Sequence, residues 1–143
     1  MQLKFACLPA ALMLGQPCAA EQWFSVARPG SQAAGVLVEV DLDSVNRRGN
    51  DGEAAIRTTY PALRPHAMGY SYRSFVGTAM FDCHQFTVSL ASAAYFAGPA
   101  GQGQRLGADS MGREAGMPPG LMESVPAPVR QALLRAMCAV RRG

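Results

Sequence analysis

The run Val36-Leu37-Val38-Glu39-Val40-Asp41-Leu42-Asp43 decides the fold. Val36, Val38, Val40 and Leu42 face one way, while Leu37, Glu39, Asp41 and Asp43 face the other. A repeat of two marks a strand with one face in a core and the other in water. The polar turn Arg47-Arg48-Gly49-Asn50-Asp51-Gly52 joins this run to Glu53–Tyr60, which alternates again, so the two read as a hairpin with a loose tip. Upstream, Trp23-Phe24-Ser25-Val26 reads as a short first strand stopped by Pro29-Gly30. Downstream, residues 61–69 hold Pro61 and Pro65 and read as a loop.

Two long strands follow. Tyr70–Cys83 places Tyr70, Tyr72, Val76 and Met80 on one side, and Gln85–Ala97 places Phe86, Val88, Leu90, Ala94 and Phe96 on one face. Residues 81–84 interrupt the alternation, which points to a tight corner or bulge. Gly98–Gly103 is a turn, Gln104–Asp109 a last strand, and Gly112–Pro128 a Gly-, Met- and Pro-rich crossover. Val129–Arg141, entered after Pro126 and Pro128, is the one helix, with Leu133/Met137 and Leu134/Cys138 paired on its buried half. Arg141 and Arg142 suit the negative end of its dipole. The fold class is α+β: a small antiparallel, meander-like sheet of about five to six strands with one C-terminal helix packed on it.

The chain has 143 residues, 49% of them hydrophobic and only 16% charged, where about 25% is usual. That is one compact domain without charge-driven disorder. The net charge is +3, and Lys4 is the one lysine. Such a weak bias gives no ground for a nucleic-acid or anionic-membrane partner, and none is expected.

Residues 1–20 have the layout of a secretory leader: Lys4, an apolar stretch from Phe5 to Leu14, then Pro17-Cys18-Ala19-Ala20. Cleavage between Ala20 and Glu21 leaves residues 21–143 as a single mature domain with no transmembrane segment. Cys18 lacks the small residue before it and the Leu-like residue three before it that lipidation requires. Removal of the leader leaves Cys83 and Cys138, and an even pair in an oxidising compartment reads as one disulfide. It would clamp the helix to the sheet.

No chemistry stands out. His66 reads as a lone surface histidine, and His84 follows Cys83 directly. Neighbours along a strand point to opposite faces, so Asp82, Cys83 and His84 do not make a working thiol site. Without metal-ligand spacing there is no metal site, and no catalytic residue or cofactor is expected. Asp41 and Asp43 share a strand face and read as a solvated edge rather than a calcium or acid-base pair. The Gly98–Gly103 run has glycines but lacks the Gly-Lys-Ser/Thr end of a phosphate loop. Tyr70, Tyr72 and Phe75 read as packing residues.

Four features together resemble a known family. They are Trp23 near the mature start, the run Val40-Asp41-Leu42-Asp43-Ser44-Val45-Asn46-Arg47-Arg48-Gly49, Phe81-Asp82-Cys83 before a long strand, and Cys138 on a terminal helix. The chain is similar, across nearly all of residues 21–143, to the surface-adhesin protein E-like family. That resemblance implies the same disulfide-tied sheet and helix, and adhesion to host matrix and serum proteins. No family binding residue maps onto a motif here. The expectation is an exported, non-enzymatic, adhesin-like protein-binding domain of the bacterial cell envelope, periplasmic or on the outer surface. Its partner would be a host matrix or serum protein, or an envelope protein, engaging a sheet face or the loops at 61–69 and 110–128. The alternative is a periplasmic structural module that pairs through a strand edge, a homodimer being one form of such pairing.

Overall fold

The computed structural model describes residues 21–26, 35–110 and 121–140. Its strands are β1 (Trp23–Ser25), β2 (Leu37–Asp41), β3 (Asn46–Arg48), β4 (Asp51–Pro65), β5 (Ser71–Asp82), β6 (Thr87–Phe96) and β7 (Arg105–Ser110), followed by the helix α1 (Ala127–Ala139). They form one seven-stranded sheet in the order β1-β2-β4-β5-β6-β7, with β3 also on β4. Every pairing is antiparallel. This is the meander that the period-two pattern predicts.

The count exceeds the expected range because the run from Val36 does not stay straight to Asp43. Leu42–Ser44 is a single 3-10 turn. Asp41 Oδ1 accepts the Asp43 N–H at 3.1 Å. Ser44 Oγ donates to Asp41 O at 2.6 Å and accepts the Ala55 N–H at 2.8 Å. Val45, fully buried, brings the chain back onto β4. The tip of this hairpin shrinks to Gly49-Asn50, with Gly49 at φ 64°, a conformation that glycine adopts without a Cβ penalty.

One face of the sheet is the core. Val38, Thr58, Phe75 and Tyr95 form a cross-strand row on it, and all four are buried. The predicted faces of the two long strands are corrected here. On β5 the inward residues are Tyr72, Phe75, Ala79 and Phe81, whereas Met80 is 45% exposed and Val76 half-buried. Ser74 is buried as well, beneath the 98–101 turn, where its hydroxyl donates to Gly98 O at 2.6 Å and accepts from the Gly101 N–H at 2.9 Å. On β6, Ala79 pairs with Leu90 but Thr78 with Ser92, so Ala91 is an inserted residue. A bulge turns the alternation over. Leu90 is therefore inward together with Ala93 and Tyr95, not Ala94 and Phe96, and Phe86 lies 43% exposed in the turn. The corner at 81–84 is a tight turn over residues 83–86, where Asp82 Oδ1 accepts the N–H groups of His84 and Gln85 at 2.7 and 2.9 Å.

The loop expected at 61–69 is also corrected: β4 continues to Pro65 and only residues 66–70 turn. Pairing with β2 ends at Thr59, and pairing with β5 is interrupted between Thr59 and Arg64. Pro61 stands in this gap, and the adjacent His66 N–H points to β5, so the Pro65 nitrogen points to the outer edge. Neither ring removes a ladder bond.

α1 closes the core with Val129, Leu133, Leu134 and Met137, matching the predicted helix face. Cys83, just past β5, is bonded to Cys138 in its last turn, with Cα atoms 5.8 Å apart. Arg47 Nη1 of β3 donates to Cys138 O at 2.9 Å beside that bond. At the other end Arg130 donates to Val125 O at 2.9 Å, closing the turn that buries Leu121, Met122 and Val125. The leader with Ala20, Pro29-Gly30, residues 112–120 of the crossover, and Arg141-Arg142 lie outside the described residues.

Cys138→Ser will lower the unfolding free energy by about 2–5 kcal/mol in urea denaturation, with α1 losing amide protection before the sheet does. At Gly77 an added Cβ would meet the Ser92 carbonyl oxygen. Gly77→Ala will therefore cost about 2 kcal/mol or more in the same assay.

Candidate binding surface

Where β4 outruns β2, the β4–β5 hairpin becomes an arm. Residues 61–65 are all exposed. Leu63 is 60% exposed and Met68 78%, the highest values among the large apolar side chains described. A turn closes the tip: the Gly69 N–H bonds to His66 O at 3.0 Å, and the His66 N–H returns to Tyr70 O at 2.8 Å. The Met68 N–H donates to His66 Nδ1 at 3.1 Å. Gly69, at φ 87°, takes the left-handed position that this turn needs.

The arm folds back across β6 to β7. The His66 side chain is only 7% exposed, and its Nε2 lies 2.8 Å from Asp109 Oδ2. Its ring stacks on Tyr70 with centroids 4.4 Å apart and planes 5° apart, and lies 4.7 Å from Tyr95. Tyr95 in turn lies 4.7 Å from Tyr72, which meets Tyr60 edge-on at 5.9 Å. Arg64 sits over the Tyr60 ring at 4.7 Å, and Arg73 Nε donates to Tyr60 O at 2.9 Å. Tilted and edge-on aromatic contacts of this kind add to the area that they bury. The arm is thus a braced projection whose inner side is aromatic and whose outer side is aliphatic.

The brace sets its own electrostatics. Burial pushes the Tyr60 phenol up to about 12, against the pull of its hydrogen bond to Ser124, which is 2.7 Å long. Burial also raises Tyr70 and Tyr72. Tyr95 is held up first by burial and then by Asp109. Its hydroxyl lies near that carboxylate yet has no well-formed hydrogen bond. The site therefore keeps its phenols neutral.

The histidine reading is corrected: His66 is enclosed, not a lone surface group, because Asp109 reaches it from 43 residues away. No local pattern carries that pairing. Tyr70, Tyr72 and Phe75 do belong to packing, joined by Tyr60 and Tyr95. Asp41 caps the 3-10 turn, Cys83 is in the disulfide, and Asp82 holds the 83–86 turn. The glycine run is the hairpin turn between β6 and β7. Near the start of the described chain, Arg57 lies over Trp23 at 4.6 Å and pairs with both carboxylate oxygens of Glu39. That charge-assisted pair raises the Arg57 pKa. A cleft of about 350 Å³ also opens between Phe86–Val88 and α1. Among the described residues no three His, Cys, Asp or Glu side chains are grouped to hold a metal, and no helix is long and apolar enough to cross a membrane. Leu63 and Met68 were not singled out in the sequence, although both stand in a stretch whose one charged residue is Arg64.

An antiparallel meander closed by one disulfide-tied helix, with Leu63 and Met68 exposed on a projecting arm, defines a small α+β domain. The chain belongs to the surface-adhesin protein E family, whose sequence model matches residues 23–139. No curated protein matches the chain. The residues that carry the family likeness have structural jobs: Asp41 and Ser44 make the kink, Arg47 binds the helix end, Gly49 turns the hairpin and Cys83 bonds Cys138. The arm lies outside that motif.

A tyrosine proton held up to about 12 in the folded state, against about 10 in an unfolded chain, stabilises the fold fully below about pH 10. That contribution is lost as pH rises toward the folded value. Alkaline titration will show tyrosinate absorbance appearing late and together with loss of β-sheet circular dichroism. Tyr60→Phe will shift that transition to higher pH.

Proposed function

We propose that this protein is an exported, non-enzymatic domain of the bacterial envelope that binds another protein through the β4–β5 arm. The observation that carries this reading is the pair Leu63 and Met68, held in solvent by a rigid aromatic brace rather than folded into the core. Preorganised apolar side chains are what a protein partner can bury at low entropic cost. The Pro65 nitrogen leaves no donor at its place on the outer edge of the arm, which disfavours strand addition there and favours recognition by side chains.

Membership in an adhesin family supports a binding role and a non-enzymatic one. The leader-like layout of residues 1–20 supports export with cleavage between Ala20 and Glu21, leaving residues 21–143 as one mature domain, and the disulfide suits an oxidising compartment. In this reading the partner is a host matrix or serum protein and the domain stands at the cell surface. Neither cofactor nor metal takes part.

The test is solid-phase binding of residues 21–143 to matrix and serum proteins, with the double variant Leu63→Ser, Met68→Ser alongside. Binding will fall by about tenfold or more, while unfolding stability stays within about 0.5 kcal/mol. Equal binding by both proteins, or none by the unmodified one, defeats the reading. Digestion of the domain by protease on intact cells will place it outside. Protection until the outer membrane is opened moves the partner to the periplasm.

A further inference from the structure

The tip of the arm is fastened through one imidazole that uses both its nitrogens. A backbone N–H can only donate, so the 3.1 Å bond from the Met68 N–H requires a bare Nδ1 on His66. The ring proton then sits on Nε2 and points to Asp109 Oδ2 at 2.8 Å. Resting on the arm as the binding surface, we infer that protonation of His66 is a switch that releases the Met68 end of the tip while leaving the arm anchored. A second proton can enter the ring only at Nδ1. There it removes the acceptor and sets N–H against N–H.

The two ends of the ring respond in opposite senses. On the inner side the Nε2–H···Asp109 bond becomes an ion pair and shortens its grip. On the outer side the Met68 N–H turns to water, which it can do cheaply because Met68 is 78% exposed. The bonds from Gly69 N–H to His66 O and from His66 N–H to Tyr70 O involve no ring atom, so the hairpin keeps its register. The groups facing the ring are Asp109 from β7, Tyr95 from β6, and Tyr70 and Tyr72 from β5. Arg64, the cation of the arm, is directed over Tyr60, and Arg57, lower on β4, is paired with Glu39. Asp109 is thus the one carboxylate among these neighbours, and the phenols stay neutral across the range in which an imidazole changes charge. What moves is the most exposed apolar side chain of the proposed contact surface.

The experiment is an NMR titration of the mature chain carrying His84→Gln in the exposed 83–86 turn, which leaves His66 as the sole imidazole. Spectra run from about pH 8 to about pH 5, the window of histidine protonation. At the upper end the ring nitrogens will show a bare Nδ1 and a protonated Nε2. As the ring titrates, the Met68 amide will shift with the same midpoint, and its protection factor will fall by about three- to tenfold. The amides of His66 and Gly69 will hold theirs. A Met68 amide that ignores the ring titration overturns the switch, as does a proton resting on Nδ1 at neutral pH. No partner is needed in this measurement, so its failure leaves the arm's binding role to be judged by the solid-phase assay alone.

Discussion

The covalent clamp between Cys83 and Cys138 is the constraint around which the rest is arranged. A meander has only local connections, and one face of this sheet is apolar from Val38 to Tyr95. A single helix, reached by a crossover rich in Gly and Pro, must cover that face. Hydrophobic contact alone sets neither the angle nor the register of such a lid. The disulfide and the Arg47 bond to Cys138 O fix its last turn, and the Arg130 bonds fix its first. With both ends held, Leu133 and Met137 have a unique place to pack.

The opposite end of the sheet is held together differently. The arm gains little from α1 and is instead braced by its own aromatic cluster, in which a histidine, an aspartate from β7 and four tyrosines share the interior side. Buried polar groups are tolerated when they are paired, and among the fully buried side-chain polar atoms of the cluster only the Tyr95 hydroxyl lacks a partner. The division of labour is clear in the residues: those resembling the family build the kink, the turn and the clamp, while the apolar side chains shown to solvent lie elsewhere. Fold and function are separable in this way, because residues that build a fold need not be those that act on its surface.

Much of this was readable before any coordinates. Alternation over Val36–Asp43 and Glu53–Tyr60 is a local property, so it survives folding and places strands correctly. The helix announces itself by its entry prolines and its Leu133/Met137 and Leu134/Cys138 spacing, and Cys83 and Cys138 are the pair left once residues 1–20 are read as a leader. The errors share a single cause. Ala91 is an ordinary alanine in an apolar run, and nothing next to it says that it is an insertion. Only its partners Ala79 and Thr78 on β5 reveal the bulge. Pro61 and Pro65 look like the end of a strand until the positions of β2 and β5 show that no ladder bond is lost there.

The sequence by itself therefore determined the strand-rich class, the meander order and the terminal helix, because each follows from spacing along the chain, and it made the disulfide legible by cysteine count once residues 1–20 are read as a leader. Tertiary structure alone decided which faces of β5 and β6 turn inward, that His66 meets Asp109, and that Leu63 and Met68 stand on a braced arm. Those outcomes depend on cross-strand register and on contacts between residues far apart in the chain, and register is a joint property of two strands that neither one encodes alone.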